Sequence, residues 1–338
     1  MWSGVFPVTT AAPKAFTTST VQMTRPAIAA SDLLAINGVL VSARQAIDMI
    51  CDRWTLSIVL ALLLGECRFT GLADRTGMAT RLLTTRLQTL EKTGVVTRLP
   101  YSLHPPRFEY RLTIMGADLL PVILHMDRWE QAWASARARL VSVRHLGCGT
   151  PLLSEVRCRA CGRHAGARNV ELRVSRAQLQ TVPDKKAQHR RSIVSSENQV
   201  RVPQLLGPSL DIFGDKWGIE ILLCSFLRIR RFNDFRESIG ISANILTDRL
   251  ERLVEADLLS RGRDPQTQAG YWLTAKGVDA YAIMVSIHEW ADKWVRSRYK
   301  SPVRMIHADC GQPFLPDLVC TGCEHSVRPS EVGFAAQP

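Results

Sequence analysis

No apolar run in this sequence reaches the ~18 residues expected of a membrane-spanning helix. The longest, residues 58–64, is short and continues a helical pattern. A cytoplasmic, nucleoid-associated location is therefore the expectation. Acidic residues are in the minority: 31 Asp and Glu stand against 43 Lys and Arg, a formal net charge of +12. That balance fits a polyanionic partner, either nucleic acid or an anionic membrane surface, or no specific partner at all. The sequence has neither a phosphate-binding glycine loop nor a recognisable Ser, His and acid arrangement, so no enzymatic activity is expected. It also lacks the scattered cysteines of a secreted disulfide scaffold. Of its nine cysteines, six lie in two short clusters with metal-type spacing, as expected in a reducing cytoplasm.

What the chain does contain, it contains twice. Asp48-Met49-Ile50-Cys51-Asp52-Arg53-Trp54 returns 163 positions later as Asp211-Ile212-Phe213-Gly214-Asp215-Lys216-Trp217. Arg68-Phe69, Gly77 and Arg86-Leu87 return as Arg231-Phe232, Gly240 and Arg249-Leu250. After a two-residue length change, Leu112-Thr113, Gly116, Trp129 and Trp133 match Leu273-Thr274, Gly277, Trp290 and Trp294 at an offset of 161. A duplication of this kind is read as a unit and a pair, and 338 residues suffice for two domains that each bury a core.

The expected partition is a disordered tail over 1–40, a first domain over 41–140, a Cys/His cluster over 141–172, a basic linker over 173–203, a second domain over 204–300 and a second cluster over 301–333. The tail is rich in Ala, Thr and Ser, with Lys14, Arg25 and Asp32 as its charged side chains. It has no compact apolar core ahead of a cleavage signal, so disorder is preferred to a targeting peptide. The linker carries Arg173, Arg176, Lys185, Lys186, Arg190, Arg191 and Arg201 against Asp184 and Glu197, and reads as a solvated tether.

Each domain reads as mainly helical with a small β-wing. In the first, Ala46 to Leu64 has helical spacing, Phe69 to Arg75 forms a short helix broken at Gly77, and Arg81 to Lys92 places Leu82, Leu83, Leu87 and Leu90 on one side. Gly94 ends that helix. Residues 95–99 and 108–112 read as strands flanking a loop over 100–107 that holds three prolines. Helix, helix, turn, helix, hairpin is the order of a winged helix-turn-helix. The last helix of each domain carries a heptad-like stripe: Leu119, Val122, Met126, Trp129 and Trp133, then Ala280, Ile283, Ile287, Trp290 and Trp294. Such a stripe either packs on its own domain or pairs helix on helix, and the two tryptophans favour pairing.

These motifs resemble those of the HxlR-type regulators. The likeness rests on Asp-x-Ile-x-x-Arg-Trp, on Arg68-Phe69, on the helix from Leu82 through Arg86-Leu87 to Leu90-Glu91 with Gly94-Val95-Val96, and on Pro105-Pro106-Arg107-Phe108-Glu109-Tyr110 followed by Leu112-Thr113 and Gly116. It covers about residues 43–135 and 206–296. The second copy keeps Gly240-Ile241-Ser242, Ile245-Leu246, Arg249-Leu250, Leu253 and Leu273-Thr274, but its wing has lost the Pro-Pro-Arg motif. The resemblance implies bacterial, MarR-like winged helix-turn-helix repressors or activators that normally act as homodimers. Oxidant-sensing members of that family carry a cysteine 13 residues before the tryptophan. Val41 and Gln204 stand there in this chain, and Cys51 and Cys67 read as small core residues.

The resemblance points to double-stranded DNA as the partner. On the first recognition helix Thr80, Arg81, Thr84, Thr85 and Gln88 face away from the leucines, and wing residues His104 and Arg107 are set for backbone or minor groove, with Arg98 near the wing base. Arg suits guanine O6 and N7, Gln suits adenine N6 and N7, and Thr suits a thymine methyl or a phosphate. In the second domain the counterparts are Ala243, Asn244, Thr247, Asp248 and Glu251, with Ser242 as expected helix cap and Arg261 and Arg263 on the wing. Asp248 repels phosphate, so the second domain is expected to bind more weakly or to read another sequence. Arg86 and Arg249 are expected to brace the fold against a carboxylate, and Trp54 and Trp217 to lie in the core. Together the domains form an intrachain pseudo-dimer, with self-association of whole chains left open.

Each domain is followed by His-x2-Cys-x9-Cys-x2-Cys: His145, Cys148, Cys158, Cys161, then His307, Cys310, Cys320, Cys323. Two ligand pairs on a short hairpin can close a tetrahedral zinc site. The expectation is a zinc-ribbon-like cluster after each domain and about two structural zinc ions per chain, with His164 and His325 as substitute ligands. The alternative function is a zinc/thiol sensor or protein-interaction module with one degenerate DNA-binding domain.

Overall fold

The computed structural model describes residues 33–133, 141–174, 206–263, 269–295 and 303–336. Most of the tail and the linker, residues 1–32 and 175–205, lie outside the described residues. In the first repeat the elements are α1 (Leu33–Ile50), α2 (Arg53–Leu63), α3 (Phe69–Thr76), α4 (Thr80–Lys92), β1 (Val96–Leu103), β2 (Pro106–Leu112), α5 (Ile114–Ala117) and α6 (Leu120–Trp133), then β3 (Val141–His145), β4 (Ser154–Cys158) and β5 (Val170–Val174). In the second they are α7 (Pro208–Phe213), α8 (Lys216–Phe226), α9 (Phe232–Ile239), α10 (Ala243–Glu255), β6 (Leu259–Arg263), β7 (Ala269–Leu273), α11 (Ala275–Asp279) and α12 (Tyr281–Trp294), then β8 (Val303–His307), β9 (Pro316–Cys320) and β10 (Val332–Ala336).

The repeated motifs have local causes. Asp52 caps α2 by accepting from Trp54 N at 3.0 Å, and Asp215 caps α8 by accepting from Gly218 N at 3.2 Å. The recurring Leu-Thr-x-x-Gly is a close approach: Thr113 and Thr274 cap the next turn, and a Cβ at Gly116 or Gly277 would sit 2.1 Å from the carbonyl oxygen of Val95 or Leu258. Arg86 reaches Asp52 at 2.5 Å and Arg249 reaches Asp215 at 2.6 Å, so each recognition helix is tied to the cap of the helix beneath it, as expected. Trp217 and Cys51 are buried, whereas Trp54 and Cys67 are half-buried; burial pushes the Cys51 thiol far up.

The two repeats are packed together about a pseudo-twofold axis. Helices α6 and α12 pair. Trp129 Nε1 donates to Lys276 O at 3.0 Å and Trp290 Nε1 to Met115 O at 2.8 Å. Trp133 and Trp294 donate to Asp279 and Asp118 at 2.8 and 2.9 Å. Each of these contacts has its mate 161 residues away, so the tryptophan stripe is a helix pair between repeats. In such an isologous contact one patch serves both partners.

The N-terminal helices are exchanged across this axis. Helix α1 packs on α8, α9 and α12, where Arg44 pairs with buried Glu220 at 3.2 Å and donates to Ile239 O at 2.5 Å. Helix α7 packs on α2 and α6. Glu130 of the first repeat caps it, accepting from Gly207 N and Ser209 N at 2.6 and 2.7 Å.

Several expectations need correction. Helix α1 begins at Leu33, inside the stretch expected to be tail, and it packs on the second repeat through α8, α9 and α12. Strands β1 and β2 run on to Leu103 and back from Pro106, so the expected loop over 100–107 shrinks to a tight turn. Arg173, expected in the linker, lies in β5 opposite Arg304. Ser242 holds the N-cap position of α10, but its side chain makes no capping hydrogen bond.

The largest correction concerns the segments after the domains. They do not form two separate ribbons. Strand β3 pairs with β10, β4 with β9 and β5 with β8, every pairing antiparallel and between repeats. In the central pair Val156 faces Leu318, residues 162 apart that are each other's counterparts, so the pseudo-twofold passes between them.

Candidate nucleic-acid interface and metal clusters

On α4, Leu83, Leu87 and Leu90 are buried and Leu82 is half-buried, which turns Thr80, Arg81, Thr84, Thr85 and Gln88 outward; all five are exposed. The threonine hydroxyls point back along the helix: Thr84 donates to Thr80 O at 2.8 Å and Thr85 to Arg81 O at 2.9 Å. Each hydroxyl proton is thereby committed to the helix backbone. His104 and Arg107 sit exposed at the wing tip. Arg98 stacks on Phe108, 3.6 Å from the ring centroid, which holds its charge at the wing base.

The sequence reading missed one feature of the wing. Along β1, Leu99, Tyr101 and Leu103 are 41%, 44% and 71% exposed around a register shift between Pro100 and Ser102, and the Arg68 guanidinium lies 5.2 Å from the Tyr101 centroid.

The second head has the same scaffold and a different surface. Leu246, Leu250 and Leu253 are buried beneath exposed Ser242, Ala243, Asn244, Thr247 and Glu251. Asp248 pairs with Arg249 and, at 3.2 Å, with Arg252. Glu251 lies 3.5 Å from Arg261, and Arg263 is exposed at the end of β6. Helix α4 carries two arginines, a lysine and a glutamate, a net of +2. Helix α10 carries two arginines against one aspartate and two glutamates, a net of −1. The wing tip of this head, residues 264–268, lies outside the described residues.

The eight predicted metal ligands come together, in pairings that differ from those expected. His145 and Cys148 meet Cys320 and Cys323, while Cys158 and Cys161 meet His307 and Cys310. In each cluster the ligand atoms lie within 4.8 Å of one another, and either group can hold a metal ion. His145 Nδ1 is 3.4 Å from Cys148 Sγ and 3.3 Å from Cys323 Sγ. His307 Nδ1 is 3.4 Å from Cys310 Sγ and 3.3 Å from Cys161 Sγ, and Cys158 and Cys310 place their sulfurs 4.0 Å apart.

Four equivalent turns build these clusters. After Cys148, Cys161 and Cys310 the chain turns left-handed at Gly149, Gly162 and Gly311 (φ 73°, 71° and 69°), and the glycine amide returns to the carbonyl of the first ligand at 2.7 to 2.8 Å. The fourth turn places Glu324 there at φ 60°. Hydrogen bonds from Thr150 bring the Cys148 thiol down to about 6, and those from Arg163 do the same for Cys161, also to about 6. Thiolate character is what a metal ligand requires. His164 and His325 are exposed and belong to neither group, so the predicted substitutes are set aside.

The family model for the HxlR-like helix-turn-helix matches residues 49–138 and again 212–299. The chain belongs to the HxlR-like helix-turn-helix family. Relatives include the HTH-type transcriptional regulator Rv3095 of Mycobacterium tuberculosis, 35% identical over 130 residues, which span 38% of this chain and 82% of the relative. YvaP of Bacillus subtilis, also named an HTH-type transcriptional regulator, is 37% identical over 90 residues, 26% of this chain and 83% of its own length. Among solved structures, PA1374 of Pseudomonas aeruginosa is 34% identical over 31% of this chain and 72% of that one, with a TM-score of 0.25. Among the described residues, no helix is long and apolar enough to cross a membrane.

Proposed function

We propose that this HxlR-family chain is a transcriptional regulator that binds double-stranded DNA as a covalent pseudo-dimer, with two unlike reading heads. The observation that carries the reading is the exposed face of α4, where Arg81, Gln88 and three threonines stand beside a wing bearing His104 and Arg107. A recognition helix of this make-up suits the major groove, and the wing suits the flanking backbone. The relatives named as HTH-type transcriptional regulators support it. Single-domain regulators reach two half-sites by dimerising; here the second head is supplied by the same chain.

The heads differ by three charges on their recognition helices, so the operator is expected to be asymmetric, with its tighter half-site under α4. Gel-shift titration of fragments selected from the source genome tests this. Affinity should fall steeply with salt, as counterions are released from phosphates. Symmetrised operators should differ, the duplicate of the α4 half-site binding more tightly. Equal affinity for both symmetrised versions would refute the unlike heads, and indifference to duplex DNA at low salt would refute the function.

A second reading follows from the net negative charge of α10: this head has become a degenerate domain serving protein contact or zinc and thiol sensing. Under that reading, substitutions of Asn244 and Thr247 leave DNA affinity unchanged. For the Cys/His clusters the proposed ligand is zinc, two ions per chain, in a structural role. Three thiolates and an imidazole fill a tetrahedral shell and leave no open position for catalysis. Elemental analysis of purified protein checks the count.

A further inference from the structure

The metal clusters have a consequence for how the heads are coupled. Local spacing brings ligands together only in twos: one turn supplies His145 and Cys148, and others supply Cys158 and Cys161, His307 and Cys310, and Cys320 and Cys323. No turn closes a site alone. The strand pairings then decide which turns meet, and all three pairings run between repeats. Each cluster therefore takes two ligands from each half of the molecule.

The geometry suits a tetrahedral ion. With Zn–S near 2.3 Å and Zn–N near 2.05 Å, a regular tetrahedron sets S···N edges at about 3.6 Å and S···S edges at about 3.8 Å. The observed edges are 3.3 to 3.4 Å for S···N and 4.0 Å for Cys158 to Cys310. On the far side of the imidazoles, Glu331 stands 3.9 Å from His145 Nε2 and Asp309 stands 3.7 Å from His307 Nε2. Carboxylates behind a ligating histidine orient the ring. Both carboxylates belong to the second repeat: Glu331 faces the first repeat's histidine across the axis, and Asp309 faces the histidine of its own repeat.

From this we infer that the two sites are metal clasps between the repeats, each holding one zinc-class divalent ion shared by both halves, and that metal occupancy sets how firmly the two reading heads are coupled. Strands β4 and β9 rest on α6 and α12, the paired helices that set one winged domain against the other. The clasps tie together the strands that lie on this helix pair. When the ions are removed, a two-half-site duplex loses the advantage of simultaneous engagement, while a single half-site under α4 is unaffected. This last step rests on the DNA-binding reading above; the sharing of ligands does not.

Metal counts on the full-length chain test the sharing. Cys148→Ser/Cys323→Ser damages one crossed site and should leave one zinc per chain, whereas Cys148→Ser/Cys161→Ser damages both and should leave none. Sites closed within each repeat give the reverse pair of counts and overturn the clasp. Should a variant fail to fold, the wild-type chain, stripped of metal and oxidised with diamide, provides the second measurement. Peptide mapping should find Cys148 joined to Cys320 or Cys323, and Cys148 joined to Cys158 or Cys161 overturns the assignment. For the coupling, the stripped chain should bind a two-half-site duplex at least about tenfold more weakly than the zinc-loaded chain, with single-half-site affinity changed less than about twofold. Undiminished full-site affinity refutes the coupling. A zinc-loaded chain that binds no duplex counts against the regulator reading, and the metal counts still decide the clasp.

Discussion

Arg86 and Arg249 occupy the same position in the two repeats, yet replacing them with alanine should have unequal effects. In the first repeat the side chains of Arg86 and Asp52 retain 36% and 23% of their exposure. In the second, Arg249 and Asp215 retain 11% and 16%. Water screens the first pair, and a partly exposed ion pair is worth at most about 1 kcal/mol. The second pair is different. Burial raises the Asp215 carboxyl above its ordinary value even with the guanidinium beside it, so the charge depends on its partner. Removing one member of a buried pair typically costs about 3–5 kcal/mol, because the other is stranded. Arg249→Ala should therefore lose about 3 kcal/mol or more at pH 7.5, against about 1 kcal/mol for Arg86→Ala. The deficit of Arg249→Ala should shrink toward pH 5, since a protonated Asp215 needs no counter-charge, and Asp215→Asn added to it should recover part of the loss. Urea unfolding of zinc-saturated protein, followed by tryptophan fluorescence with the slope checked for constancy, measures both. Equal losses at the two positions, or a deficit for Arg249→Ala that does not change with pH, would refute the burial argument.

Glu220 offers a pH test of the exchanged helix α1. Burial raises its carboxyl from 4.5 to about 7, against the pull of Arg44. A carboxyl raised on folding favours the folded state most below its unfolded value, and that stability is lost as pH climbs through about 7. Wild type should thus lose up to ~3 kcal/mol between pH 4.5 and 7 from this group, and Glu220→Gln should flatten the difference in a paired denaturation series. Arg81→Ala, on the exposed face of α4, should weaken operator binding and lower the slope of log affinity against log salt by ~1 if Arg81 meets a phosphate; if it reads a base, the slope should hold and discrimination at one position should relax. Glu324→Gly, at the one left-handed turn of the four that lacks glycine, should raise the melting temperature, by the ~1 kcal/mol that a side chain forfeits in that conformation.

How much of this was legible in the sequence depended on the range of the interaction. The leucine spacing of α4 and α10 is set by neighbours a few residues apart, and the pattern carries it; the caps at Asp52 and Asp215 and the Leu-Thr-x-x-Gly turns are as local, and in the sequence they show only as repeated motifs. The pairing of α6 with α12 lay within reach because two tryptophans in one stripe exceed what a small domain can cover alone; their indole nitrogens find partners across the axis, at Lys276 and Met115. The extent of α1 was hidden, because the helices it packs on, α8, α9 and α12, all belong to the other repeat. The metal clusters divide along the same line. Spacing picked out all eight residues that cluster, since His-x2-Cys and Cys-x2-Cys are local turns closed by an amide four residues on. It could not assign partners, since the nine residues between the pairs permit a closed hairpin as readily as two open arms. What decides is the edge of β4: it meets β9, its own counterpart, with Val156 opposite Leu318. A strand that pairs with its symmetry mate carries its turn to the other repeat's ligands, so a crossed pair of sites follows from the axis and not from the spacing. The same crossing between two single-domain chains would place each Cys/His cluster at their interface, whereas here the duplication makes it intramolecular.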